Sequence, residues 1–267
     1  MYRPGPPLAD LVDCFWLWDG YPAPAPRERA LPSGALDLVI NLERDRLQFY
    51  ASEQPSSLFE LPGVSLSGAH AKYFVIGTSP CTHVMGVHFK PGGAFPFLGV
   101  PASDLSGQHA SLAALWGNAA PALRDRLLEA RTVQVRFQLL EDFLLERAQR
   151  PLARTPVLRA ALRAFENPNL TSVAEVNELT GLSAKRLIAL FREEVGLTPK
   201  AYWRVRRFQG ALRGMDRGTR NGAQLAAELG YFDQAHFDRE FRAFCGLSPS
   251  EYLAQEVERP NHVPLRG

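Results

Sequence analysis

The chain has 267 residues, with 30 Lys+Arg against 28 Asp+Glu for a formal net charge of +2, 46% hydrophobic residues and 22% charged residues. That composition excludes wholesale disorder. The length favours two domains with their own cores, and no apolar run approaches the roughly 18 residues of a membrane span.

Three widely spaced cysteines (Cys14, Cys81 and Cys245) are odd in number and argue against a disulfide framework. The first residues show no basic segment leading into an apolar stretch, so the expectation is a cytoplasmic protein away from membranes. The overall charge conceals an asymmetry. Residues 1–150 carry a net −2 and residues 151–267 a net +4. Within Ala184–Arg220, ten basic residues face three acidic ones, a local +7. Such a window is the footprint of a polyanion-binding surface or of a solvated helix face.

In chain order, Pro and Gly punctuate short apolar runs: Ala35–Leu42, Arg46–Tyr50, Lys72–Gly77 and Thr82–Phe89. These predict antiparallel strands in a barrel or sandwich. From about Ser111 the period becomes helical. Asn118–Glu129 carries Leu123 and Leu127, and Thr132 caps a longer helix with Val133, Phe137, Leu140 and Leu144 on one face. Pro151–Pro156 reads as a linker, and the remainder as helix. The fold class is therefore α+β: a β-rich barrel- or sandwich-like domain with trailing helices, then an all-α domain. The expected divisions are 1–150, a linker at 151–156, a helical domain at 157–258 and a tail at 259–267.

The helical part repeats itself. Leu187, Phe191, Gly196, Leu197, Thr198, Pro199 and Tyr202 recur 50 residues later as Phe237, Phe241, Gly246, Leu247, Ser248, Pro249 and Tyr252. Ala174, Val176 and Gly181 recur 49 later as Ala223, Leu225 and Gly230. In each copy a helix ends at a glycine turn (Gly181, Gly230), and a second helix opens on a capping residue (Ser183, Asp233). A Thr-Pro or Ser-Pro pair then starts a third helix. Two helices joined by a short glycine turn form the helix-turn-helix pattern.

At about 100° per residue, Leu187, Leu190, Phe191 and Glu194 share the inner side of the first recognition helix. Lys185, Ile188, Ala189 and Arg192 lie opposite, with Arg186 beside them. In the second helix Phe237, Phe241 and Phe244 are inner, and Ala235, Asp238, Arg239 and Arg242 are outer, with Gln234 and His236 in the first turn. Gln234 suits adenine and Arg239 suits guanine; Asp238 accepts from cytosine or orients Arg239. Ile188 and Ala189 offer only apolar contact, as to a thymine methyl. A solvated surface position fits each of these residues equally well. Between the units, Pro199–Arg217 reads as one helix, and its Arg204, Arg206 and Arg207 are candidates for phosphate contact or for simple solvation.

The segments Ser183–Tyr202 (S-x-x-R-L-x-x-L-F-R-E-x-x-G-x-T-P-x-x-Y) and Leu225–Tyr252 (L-A-x-E-L-G-Y-x-D-Q-A-H-F-D-R-E-F-R-x-x-x-G-x-S-P-x-x-Y) closely resemble the DNA-binding domain of AraC-type transcription regulators. The resemblance covers about residues 157–256. It implies seven helices reading two successive major-groove segments of promoter DNA. Lys185, Ile188 and Ala189 would face bases in the first unit; Gln234, Ala235, His236, Asp238 and Arg239 would do so in the second. One departure stands out: Asn177 occupies a position where the family usually has a small Ala, which the second unit keeps as Ala226.

Residues 8–148 are similar to a sensor domain found in part of that family, carried by Ala30–Leu42, Gly86–Leu105 and Leu112–Gly117. The resemblance implies double-stranded promoter DNA, RNA polymerase, a small-molecule effector with no assigned residues, and self-association as partners. Neither a cofactor nor a metal is expected. No P-loop, dinucleotide fingerprint or G-x-S-x-G occurs, and His83 and His88 fall on opposite faces of a strand, so no enzyme is expected. Two competing readings are a small-molecule binder or enzyme whose basic helices dock an acidic partner, and a nonspecific DNA binder.

Overall fold

The structure, a computed structural model, describes residues 1–20, 23, 25–78, 82–216, 218, 222–255 and 261–265. Cys81, Arg217 and Arg220, which entered the sequence reading, lie outside the described residues.

The N-terminal half is built on two five-stranded sheets that do not close into one barrel. The elements are β1 (Val12–Asp19), β2 (Arg27–Ala30), β3 (Asp37–Asn41), β4 (Leu47–Tyr50), β5 (Leu58–Leu61), β6 (Val64–Ser67), β7 (Phe74–Gly77), β8 (His83–Phe89), α1 (Phe95–Leu98), β9 (His109–Ser111), α2 (Ala113–Trp116), α3 (Ala119–Glu129) and α4 (Val133–Arg147). The first sheet runs β1-β8-β3-β6-β9, every pairing antiparallel.

Alternation decides its two faces. Leu38, Ile40, Leu66, Met85, Val87 and Phe89 are buried on one face and join the core with Leu123, Leu127, Phe137, Leu140 and Leu144 of α3 and α4. On the other face, cross-strand partners form a polar row: Cys14, His88, Asp37, Ser67 and His109. Thr132 caps α4 as its sequence suggests, its Oγ1 accepting from the Val135 N–H.

The C-terminal half comprises α5 (Pro156–Ala164), α6 (Val173–Thr180), α7 (Ala184–Glu194), α8 (Pro199–Asp216), α9 (Gly222–Glu228), α10 (Gln234–Cys245) and α11 (Pro249–Leu253). The stretch read as a tail contains one more strand, β10 (His262–Pro264). It pairs with β2 at the edge of the second sheet, ordered β10-β2-β7-β4-β5. The N–H of Leu31 donates to the Asn261 carbonyl, and that of Leu265 to the Arg27 carbonyl.

The two halves are joined at several points. Gln209 of α8 is buried and donates to both the Pro32 carbonyl and Asn261 Oδ1, each at 2.8 Å. The N–H of Tyr73 donates to the Phe244 carbonyl at the end of α10. Helix α7 packs on the short turn Ala102–Leu105. Gly196, at φ 88°, ends that contact; a Cβ there would come within 3.0 Å of the Ala102 carbonyl oxygen, so both its dihedral and its neighbour call for glycine.

Candidate nucleic-acid interface

In the first helix pair, Ser172 Oγ caps α6 by accepting from the Glu175 N–H, Gly181 makes the turn at φ 67°, and Ser183 Oγ accepts from the Arg186 N–H to start α7. Leu187 and Phe191 are fully buried. Phe165, Phe191 and Tyr202 form a ring cluster with centroids 5.5–5.6 Å apart. Glu194, on the same inner side, is buried and accepts from Thr155 Oγ1; burial raises its carboxyl above the ordinary range.

The opposite face is open: Lys185, Arg186, Ala189 and Arg192 are exposed, and Ile188 keeps 41% of its surface. Among the described residues, no hydrogen bond or ion pair engages the side chains of Lys185, Arg186 or Arg192.

The second pair repeats the construction. Gly230 turns at φ 70°, and Asp233 Oδ1 accepts from the His236 N–H at 2.6 Å. Phe237, Phe241 and Phe244 are buried, with Phe208 of α8 at 5.2 and 5.1 Å from the last two rings. Gln234, Ala235 and Arg239 are exposed, while His236 and Asp238 are half-buried. Arg242 is exposed but engaged, donating to Glu251 Oε2 at 3.0 Å. The same Glu251 closes a capping box with Ser248 at the start of α11.

The structure gives the linker-helix arginines unequal roles. Arg204 and Arg207 of α8 converge on Glu240 of α10, with N···O distances of 2.6 and 3.2 Å. Glu240 is only 8% exposed. Arg207 also stacks over the rings of Trp203 and Tyr231 and donates to the Gly230 carbonyl. Arg204 lies over Phe244. Both guanidinium groups thus brace the second recognition helix. Arg206 is half-buried, and its Nε is enclosed without a hydrogen-bond partner.

Glu240 is a buried charge on the inner side of α10 that the wheel of apolar residues alone does not single out. The signal that places it inside was present: it stands three residues after Phe237 and four before Phe244, on the buried arc.

The N-terminal half holds a second concentration of polar groups, on the polar row of its first sheet. His88 Nδ1 pairs with Asp37, which pushes the imidazole up to about 9. His109 stacks on Phe49 at 4.0 Å, meets Phe74 edge-on at 4.5 Å, both rings belonging to the opposite sheet, and lies 4.9 Å from His70. Burial holds His70 down at about 4 and His109 at about 3, so both are neutral near pH 7. His83 pairs instead with Asp19, on the other face from His88. Trp16 and Trp18 are half-exposed, whereas Phe15 and Trp116 are in the core. Among the described residues, no three His, Cys, Asp or Glu groups gather as metal ligands, and no helix is long and apolar enough to cross a membrane.

Comparison with known proteins follows the same division. Residues 177–255 match the family described as a helix-turn-helix domain, and residues 1–111 match one described as a domain of unknown function (DUF6597). The chain is 30% identical to the arabinose operon regulatory protein of Escherichia coli over 94 residues, 35% of this chain and 32% of that protein. It is 28% identical to the MmsAB operon regulatory protein of Pseudomonas aeruginosa over 142 residues, 48% of this chain and 45% of that one. The chain thus spans less than half the length of these curated relatives. Among solved structures, ToxT of Vibrio cholerae aligns over 90% of this chain and 96% of its own, at 10% identity and a TM-score of 0.46.

Proposed function

We propose that this chain, whose C-terminal domain is a helix-turn-helix domain of the AraC type, is a sequence-specific transcription regulator that reads two successive major-groove segments of a promoter. The observation that carries the reading is the pair of capped recognition helices. Each is buried on one side in a cluster of rings and presents polar or small residues on the other, and the single helix α8 lies between them in the chain. In this reading residues 157–258 are the DNA-binding domain, 151–156 the linker and 1–150 the regulatory domain.

Lys185, Arg186 and Arg192 grip phosphates around the first helix, while Ile188 and Ala189 meet base edges without hydrogen bonds. Gln234, Ala235, His236, Asp238 and Arg239 supply base readout in the second. Arg204 and Arg207 act through Glu240 and are removed from the phosphate-contact set; Arg206 remains in it. The polar row of the first sheet is where a small-molecule effector would meet the regulatory domain. A second copy and RNA polymerase are the protein partners such a regulator engages.

Footprinting on DNA upstream of its own and adjacent genes tests this. The expected result is two protected patches on one face of the helix, with Arg239→Ala weakening binding at one base position by about 1–3 kcal/mol. Unchanged footprints for both Arg239→Ala and Lys185→Ala would overturn the reading. So would equal affinity for specific and random DNA.

A further inference from the structure

The one-turn helix Leu8–Asp10 and α5 enclose a cleft of about 360 Å³, lined by Asp10, Arg154, Arg159, Leu162, Arg163 and Glu166. Leu162 is buried and makes its apolar floor. Arg159 and Arg163 stand one helical turn apart on α5, and Arg154 precedes the Thr155 cap. Three arginines therefore line one concavity.

None of the three is within ion-pair distance of a carboxylate among the described residues. The Arg163 guanidinium has no hydrogen-bond partner among them. Arg159 Nη2 donates to the Arg154 carbonyl at 3.3 Å, a neutral acceptor. Arg154 Nη1 reaches the Pro91 carbonyl at 3.5 Å, and its Nε is enclosed without a partner. Burial lowers the basicity of Arg154; Asp10 and, more weakly, Glu166 oppose that shift, and neighbouring Arg159 adds to it. The chain thus holds like charges together, one of them partly desolvated, with donors left over. An oxyanion in the cleft would supply those donors with acceptors.

We infer that this cleft is a binding site for a small phosphate- or carboxylate-bearing molecule, held by Arg154, Arg159 and Arg163 at the junction of the two domains. The guanidinium fork fits either oxyanion in bidentate fashion, and the volume lies at the lower end of the range for small-molecule sites. The two wall carboxylates, Asp10 and Glu166, oppose an extended polyanion such as a DNA strand. They leave room for one anionic group and offer acceptors to a hydroxyl or ammonium on the same molecule. Because Asp10 belongs to the N-terminal domain, Arg154 to the linker, and Arg159 and Arg163 to the C-terminal domain, an occupant touches both domains.

The test titrates the full chain with inorganic phosphate, and separately with succinate, at constant ionic strength, following heat of binding and melting temperature. Saturable binding of at least one probe, with a rise in melting temperature over chloride, is expected. The double variant Arg159→Gln/Arg163→Gln should bind at least about tenfold more weakly. Arg126→Gln, exposed on α3, should bind as the parent does, and the unliganded melting temperatures of all three should agree. Absence of saturable binding to both probes overturns the inference, as does undiminished binding by the double variant. If neither probe binds and the double variant instead loses DNA affinity, the arginines serve the DNA backbone and the inference is likewise overturned. None of the binding readouts depends on the promoter reading above.

Discussion

The two helix-turn-helix units share a plan but are held in place by different forces. The first is fastened by apolar contact: Leu190 packs on the core behind α7, and the helix rests on Ala102–Leu105 of the N-terminal domain. Fifty residues on, the position of Leu190 is taken by Glu240, and α10 adds to its buried rings a charged fastening through Arg204 and Arg207. One lesson is that a basic helix between two helix-turn-helix units is not thereby a free cationic surface. Two of its arginines are spent on architecture. The first recognition helix, by contrast, keeps Lys185, Arg186 and Arg192 unengaged. A further contrast lies behind the helices, where Asn177 in the first unit matches Ala226 in the second. The Asn177 Oδ1 is enclosed and has no hydrogen-bond partner.

The largest expected effect that would break this comparison is Glu240→Ala. Losing the carboxylate strands two guanidinium groups beside rings and should cost about 3 kcal/mol in urea unfolding. Footprints should then lose the second patch before the first; equal loss of both would show that α10 does not depend on its ion pairs.

Next come the outward faces. Arg239→Ala should relax discrimination at one base by about 1–3 kcal/mol, whereas Lys185→Ala should weaken all sequences alike and reduce the salt slope by about 1. The division between a gripping first unit and a reading second unit fails if the two variants behave identically in titrations at several salt concentrations.

A smaller effect, of opposite sign, is expected at Asn177. Asn177→Ala removes an unpaired buried acceptor and a poor helix former, and should stabilise the chain by about 1 kcal/mol. The mirror change Ala226→Asn should destabilise it by a similar amount, both read from chemical denaturation.

Smallest is Arg242→Ala. Its pair with Glu251 is solvent-exposed, so the stability change should stay within about 0.5 kcal/mol. Any clear loss of DNA affinity in that variant would then come from contact with DNA rather than from folding.

Much of the helical half was legible because its determinants are local. Caps at Ser172, Ser183, Asp233 and Ser248, and turns at Gly181 and Gly230, are set by residues within a few positions of one another. The outward positions of both recognition helices followed from the same period. What escaped depends on partners distant in sequence. Glu240 meets arginines 33 and 36 residues away. Strand β2, with sequence RERA, looks too charged for a sheet; it is explained by Glu28, buried against His262 from the far end of the chain. Strand β1 was missed for another reason. An irregularity between Val12 and Cys14 shifts its register, so the alternation of apolar residues breaks where a period of two is sought. The expected strands at Ala35–Leu42 and Thr82–Phe89 were found, trimmed to Asp37–Asn41 and His83–Phe89, because each is a short apolar run rich in β-branched residues.

The last strand has a consequence for how the protein can be cut. With β10 in place, the backbone groups on one side of β2 are paired; without it they become a free edge next to a buried carboxylate. A chain trimmed after α11, where the helical pattern ends, would therefore expose a template for strand addition. Its self-association in solution would report that raw edge, not the native way in which two copies meet.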